Sequence, residues 1–173
     1  MTRHVLALIG AVIAALLVAG SGPGRAADLT ARVPLPQATA AAKKWRTDAT
    51  LTHVSSITVN ADGSAKSWLY TFYAPQTRKS LTVTTAGSTP DTLEVPNSSV
   101  LPIGEGFVDS DQAMREAKKH DLKGSSPSMG LVVMGFTGGP TWSINGGYAE
   151  GDVSVILDGK TGKFIRRQVI SYK

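Results

Sequence analysis

The feature that most constrains this chain is a pattern that occurs twice. From Pro140 the sequence reads Pro-Thr-Trp-Ser-Ile, crosses a glycine turn, and continues Val153-Ser-Val-Ile-Leu-Asp-Gly-Lys-Thr-Gly-Lys163. This is an aromatic-anchored strand, a turn, a second strand and a tight hairpin turn. A weaker version runs from Ser67-Trp-Leu-Tyr to Leu81-Thr-Val-Thr-Thr-Ala-Gly87. A helix-like segment precedes each copy. Helices that alternate with short-turn strands in this order confine the chain to a layered arrangement of helix on antiparallel sheet.

The first helix is read from Pro36. Ala38, Ala42, Trp45 and Ala49 fall at i, i+4, i+7 and i+11, which is one stripe of a helix. Proline suits the first turn, and Trp45 is the large residue of the stripe. The segment before it, Ala27 to Leu35, reads as a linker. The period then becomes two. Leu51 to Asn60 ends in Asn-Ala-Asp-Gly63, a turn signal. Ala65 to Tyr73 answers it, with Trp68, Tyr70 and Phe72 on one face and Leu69, Thr71 and Tyr73 on the other. Lys79 to Thr85 is a third strand, rich in threonine and valine. Thr92 to Val95 is a short edge strand, and Pro96 to Gly106 is a connector.

The cycle restarts at Asp109, which stands three residues before Gln112 as a capping box requires. Ala113, Met114 and Ala117 face inward on this second helix. Gly130 to Phe136 is apolar almost throughout, as a central strand covered on both faces would be. Strands follow at Thr141 to Asn145, Asp152 to Leu157 and Lys163 to Tyr172. The expected fold is therefore α+β. It has two helix-plus-antiparallel-sheet units, about 36–95 and 109–173, with each helix laid on a curved sheet.

These residues resemble the PepSY group of exported bacterial domains. The similarity lies in the alanine-rich helix, the Pro140-x-Trp142 start of a strand, and the Val155-x-x-Asp158-x-x-Thr161-Gly162-Lys163 hairpin. The second half carries it. The first half matches through Ala41-x-x-x-Trp45, Asp62-Gly63 and Trp68. The long first-half meander departs from a minimal unit of that kind. The resemblance implies a noncatalytic module that binds or restrains another protein, and it transfers no catalytic residue.

The N-terminus fits export. Arg3 and His4 precede an apolar run from Val5 to Gly20, then Ser21-Gly-Pro-Gly-Arg-Ala-Ala27. A run this short with a small-residue exit reads as a signal peptide covering 1–26, with Gly24-x-Ala26 as the cleavage signal. Removal leaves residues 27–173 as one domain. The membrane is then a partner only through the signal, before cleavage. The full chain has a formal charge of +5 and no cysteine. Thiol catalysis, disulfides, thiolate zinc sites and a cysteine-linked lipid anchor are not expected. Lys43, Lys44 and Arg46 share one helix-like segment, and Arg115, Lys118 and Lys119 another. They read as solvated helix faces, so nucleic acid is not an expected partner. The expected location is the periplasm or the exterior.

No catalytic constellation emerges. No Gly-x-Ser-x-Gly elbow is present, and Gly135-Phe-Thr-Gly-Gly139 lacks the lysine and hydroxyl of a phosphate loop. His53 and His120 stand apart from any metal-ligand spacing. Asp109 and Asp111 fit a helix start, and Asp62 and Asp158 fit turns. No enzyme activity, cofactor or metal is expected. Trp68, Tyr70 and Phe72 are assigned to the core with Trp45. Tyr73, Arg78, Lys79 and Tyr148 are the residues expected at a partner surface. An exposed strand edge offers a second route, because a peptide can add to it as a further strand. The expected function is binding or modulation of another exported protein or peptide, a protease among them. The alternative is a periplasmic carrier that holds a small ligand on the curved sheet.

Overall fold

The computed structural model describes residues 27–86, 89–96, 101–135 and 138–172. The expected signal peptide lies outside them. Along the chain run α1 (Leu35–Trp45), β1 (Thr50–Ser56), β2 (Trp68–Ala74), β3 (Lys79–Thr85) and β4 (Asp91–Val95). The second series is α2 (Ser110–Lys119), β5 (Ser128–Val133), β6 (Pro140–Tyr148), β7 (Gly151–Asp158) and β8 (Phe164–Ser171). The repeated order of one helix and four strands is thus present.

The two series do not form two units. All eight strands join one sheet in the order β4-β3-β2-β1-β5-β6-β7-β8, and every neighbouring pair is antiparallel. The helices span only 11 and 10 residues. The expected α+β arrangement of two helix-plus-sheet units is therefore corrected to one continuous, mostly β sheet. The seam is β1 on β5, with Val54 opposite Leu131 and Ser56 opposite Met129. A four-stranded meander alone would leave β1 as an apolar edge with unpaired amides. Pairing the two inner edges satisfies those groups and merges two apolar faces into one.

Both helices cover the same face, α1 over β2 and β3, α2 over β6 and β7. Ala38 and Ala42 from α1 and Ala113, Met114 and Ala117 from α2 join one core with Val54, Trp68, Tyr70, Leu131 and Trp142. Small side chains at the helix–sheet contact let the elements approach closely, and the aromatic rings fill the depth between them. Trp68 and Trp142 hold matching places on the second strand of each series. Their rings meet edge to face, 6.4 Å apart at 71°. Each indole donates to a carbonyl just ahead of its helix, Trp68 to Leu29 at 2.7 Å and Trp142 to Val108 at 2.9 Å. The duplication thus extends to a hydrogen bond that pins each incoming segment.

Four local expectations change. The 27–35 linker is part of the fold: Leu29 bridges Ala65, and the buried Tyr70 hydroxyl donates to the Ala31 carbonyl at 2.7 Å. Asp109 caps α2 without the reciprocal bond of a capping box. Its carboxylate accepts from Ser110 N, Thr30 Oγ1 and Arg32 N at 2.7, 2.7 and 3.0 Å. Trp45 is half-buried at the end of α1, where its indole donates to Glu94. Finally, β5 is central but covered on one face only. Met129 and Leu131 are buried while Ser128, Gly130 and Val132 face the side that no described helix covers. Phe136 lies outside the described residues. The Asp-Gly turns are also not equivalents: Asp62-Gly63 joins β1 to β2, whereas Asp158–Gly162 joins β7 to β8.

Candidate functional site

A sheet covered on one face leaves three surfaces for function: the open face and the two edges. The edges differ. β4 has five residues, whereas β8 has eight, all exposed. Exposed apolar side chains crowd β8 and its end, among them Ile165, Val169, Ile170 (62% exposed) and Tyr172 (60%). An eight-residue free edge presents a row of backbone donors and acceptors, which an extended chain can pair with.

α2 reaches β8 only at its start. The His120 ring stacks on Phe164 with centroids 3.8 Å apart at 15°, and Arg167 donates to the Asp121 carboxylate at 2.8 Å. Beyond Arg167 no described helix lies above the strand. On the opposite, helix-free side lies an open groove of about 650 Å³. Ile57 and Ile170 form its walls, Asp152 lies beside Ile170, and Ser128, Asn145, Ser154 and Gln168 give it a polar floor. These four fall in register across β5, β6, β7 and β8, since Asn145 pairs with Ser128 and Ser154, and Ser154 with Gln168.

Two adjacent glycines of β6 serve opposite faces of the sheet, and the second keeps the groove open. A Cβ on Gly146 would stand 1.7 Å from the Lys123 carbonyl oxygen, so this position must be glycine for the 123–124 segment to cross. A Cβ on Gly147 would point to the other side and meet only the Asp152 carboxylate at 3.2 Å. Gly147 therefore keeps the floor low. The Tyr172 hydroxyl donates to Asp152, and this bond holds its phenol above the usual range.

A second cleft of about 560 Å³ lies between α1 and the 102–107 segment. Leu35, Leu51, Phe72 and Phe107 line it, with Arg32, Lys43 and Glu105 at its polar parts. It has no convergent polar set of the kind that fixes a ligand's orientation. Among the described residues the titratable groups are accounted for by local bonds. Asp158 accepts from the amides of Lys160 and Thr161 and from the Thr161 hydroxyl, and these bonds hold it below the usual carboxylate range. Asp62 is lowered in the same way by the side chain and amide of Ser64. His53 lies on the helix-free face of β1, its pKa lowered by burial. His120 is at the far end of α2. Among the described residues no three His, Asp or Glu side chains converge as metal ligands would.

No protein-family model and no curated protein matches this chain. The solved structure of a "putative lipoprotein" from Clostridium difficile 630 is similar in fold. It superposes with a TM-score of 0.56 at 15% identity over 80% of this chain and 93% of that one. At that identity the likeness speaks for the architecture and for nothing finer.

Of the four residues expected at a partner surface, Tyr73, Arg78 and Lys79 lie together at the β2–β3 hairpin and Tyr148 lies apart from them. Tyr73 is half-buried near the C-terminal end of β2 on the helix-free face. Arg78 is exposed in the β2–β3 turn at φ 57°. Lys79 is paired with Glu94 at 2.6 Å. Tyr148 lies at the C-terminal end of β6 and packs against the core, with the Lys123 ammonium 4.9 Å from its ring centroid. Because β2 and β6 run in opposite directions, Tyr73 and Tyr148 sit at opposite ends of the sheet. The surface that stands out instead is β8 with the adjoining groove. Its signal was in the sequence: Lys163 to Tyr172 is the last strand of an open meander, rich in apolar and basic residues with no proline or acidic residue.

Proposed function

We propose that this chain is a noncatalytic, exported binding domain of PepSY-like kind. It takes an extended segment of another exported protein along β8. The observation that carries this reading is the edge strand itself: eight residues, exposed throughout, with apolar side chains and free backbone groups beside an open groove. Main-chain pairing supplies affinity in such a mode, and alternate side chains supply selectivity. Export is supported by the basic start, the apolar run to Gly20 and the small-residue exit. The carrier alternative needs an apolar cavity on the sheet. The core face of β2 that it would use is filled by Trp68, Tyr70 and Phe72, at most 2% exposed.

Site-specific photo-cross-linking tests the reading. A cross-linker replacing Gln168 on β8 is compared with one replacing Thr82 on β3, which lies on the same open face far from β8. In cells exporting the chain, a discrete protein adduct is expected from position 168 and not from 82. Equal adducts from both positions, or none from 168, would overturn it.

A further inference from the structure

We infer that the segment β8 accepts is acidic, with a carboxylate and an apolar side chain four residues apart on one strand face. This inference rests on the reading of β8 as the binding edge. From Gly159 to Tyr172 the chain carries Lys160, Lys163, Arg166 and Arg167 and no acidic residue. Two of these cations are occupied, since Arg167 binds Asp121 and the Lys160 ammonium binds the Glu105 carbonyl. Arg166 is exposed, and its neighbour across the ladder is Ile156, which offers no counter-charge. Gln168 and Ile170 follow on the same face, and Ile170 is a wall of the groove.

A strand added to β8 would lie about 5 Å away, so its side chains would stand directly against Arg166, Gln168 and Ile170. A carboxylate opposite Arg166 is favoured there and a cation is disfavoured. The apolar residue four positions on would lie against Ile170 and the groove mouth. The same charges argue against a second copy of this chain on the edge. Arg166 and Arg167 are the third and fourth of eight residues, so antiparallel pairing of two β8 strands would bring like charges together at the centre. Other acidic edges remain eligible, including β4 with Asp91 and Glu94. That strand is only five residues long, and its Glu94 is already held by Lys79 and Trp45.

The test uses the exported chain and two fluorescein-labelled nine-residue peptides. Both alternate valine and threonine; one carries two glutamates and the other two lysines at the same positions. Binding is read by fluorescence anisotropy, and contact with the edge by slowed amide exchange in β8. The glutamate peptide is expected to bind about tenfold tighter at low salt, with the preference shrinking as salt rises. Arg166→Glu is expected to reverse the preference while leaving the melting curve unchanged. If both peptides bind equally and slow exchange in β8, the charge inference fails and the edge reading stands. If neither peptide binds, or binding leaves β8 exchange untouched, both fail. Concentration-dependent growth of oligomers without peptide would also overturn the inference, by assigning the edge to a second copy.

Discussion

Ser110 offers the sharpest test of how the two series are tied together. Its side chain has no exposed surface. The hydroxyl accepts from the Ala31 amide at 3.0 Å and donates to the Gly63 carbonyl at 2.7 Å. One oxygen thus joins the segment ahead of α1, the β1–β2 loop and the start of α2. Ser110→Ala deletes that oxygen and leaves two buried backbone groups unpaired. The space vacated is smaller than a water molecule, so solvent does not replace it. Each buried unpaired group costs about 1–3 kcal/mol. The 28–32 segment lies near the surface and can relax, which places the sum at about 2–4 kcal/mol. For a protein near this size that corresponds to a fall in Tm of roughly 5–12 °C. Urea unfolding followed by tryptophan fluorescence measures it, and amide exchange at Ala31 localises it. Asp111→Ala is the control. It removes an exposed ion pair with Arg115, the bond its carboxylate accepts from the Gln112 amide and a first-turn charge, and is expected to cost no more than about 1 kcal/mol. A Ser110→Ala protein that matches that control, with Ala31 still protected, would refute the reasoning.

The β6 glycines give a contrasting pair. Gly146→Ala forces backbone against backbone at Lys123 and is expected to cost about 3 kcal/mol or to prevent folding, as judged by soluble yield and circular dichroism. Gly147→Ala meets only a movable carboxylate, so it is expected to keep stability within about 1 kcal/mol while weakening peptide binding at the groove. Trp142→Phe removes the indole bond to Val108 and is expected to cost about 1–2 kcal/mol in urea, with no change in sheet content. His53 sets a pH dependence. Burial lowers its proton affinity in the folded chain. As pH falls through the ordinary imidazole range near 6.5, the unfolded chain therefore binds the proton first and stability declines. His53→Gln should remove that part of the decline between pH 7 and pH 5. Identical profiles for parent and variant would contradict it.

Local signals in the sequence carried the elements well. The alanine stripes mark both helices, period-two runs mark the strands, and Trp68, Tyr70 and Phe72 fall on the buried face of β2. What local periodicity does not carry is which strand lies beside which. β1 and β5 pair across more than seventy residues of sequence, through Val54 and Leu131. Nothing in either strand's own pattern names the other. Two separate sheets and one joined sheet demand the same alternation within each strand, which is why the two-unit expectation failed. The apolar run at Gly130 misled for a related reason. Residues such as Val132 and Val133 fit a doubly covered strand, yet Gly130 and Ser128 share the open face with polar neighbours. The 27–35 segment looks like a linker because its bonds go to distant partners, Ala65, Tyr70 and Ser110, rather than to itself.

The repeat also explains why the proposed site occurs once. Extending a helix-and-four-strand pattern twice and joining the inner edges leaves the last strand of each series, β4 and β8, as the outer edges. Any such sheet must protect both against indiscriminate pairing. β4 is protected by its brevity and by Glu94, which is anchored to Lys79 and to the Trp45 indole of α1. β8 is long, and among the described residues it is tied to the end of α2 in its first half, through Phe164 on His120 and Arg167 on Asp121. Arg166 then repels copies of itself without closing the edge to an acidic strand. The two tryptophans preserve the duplicated core, while the two edges have diverged. It is this divergence, rather than the repeated Trp-to-Thr-Gly pattern, that gives the molecule a direction in which to bind.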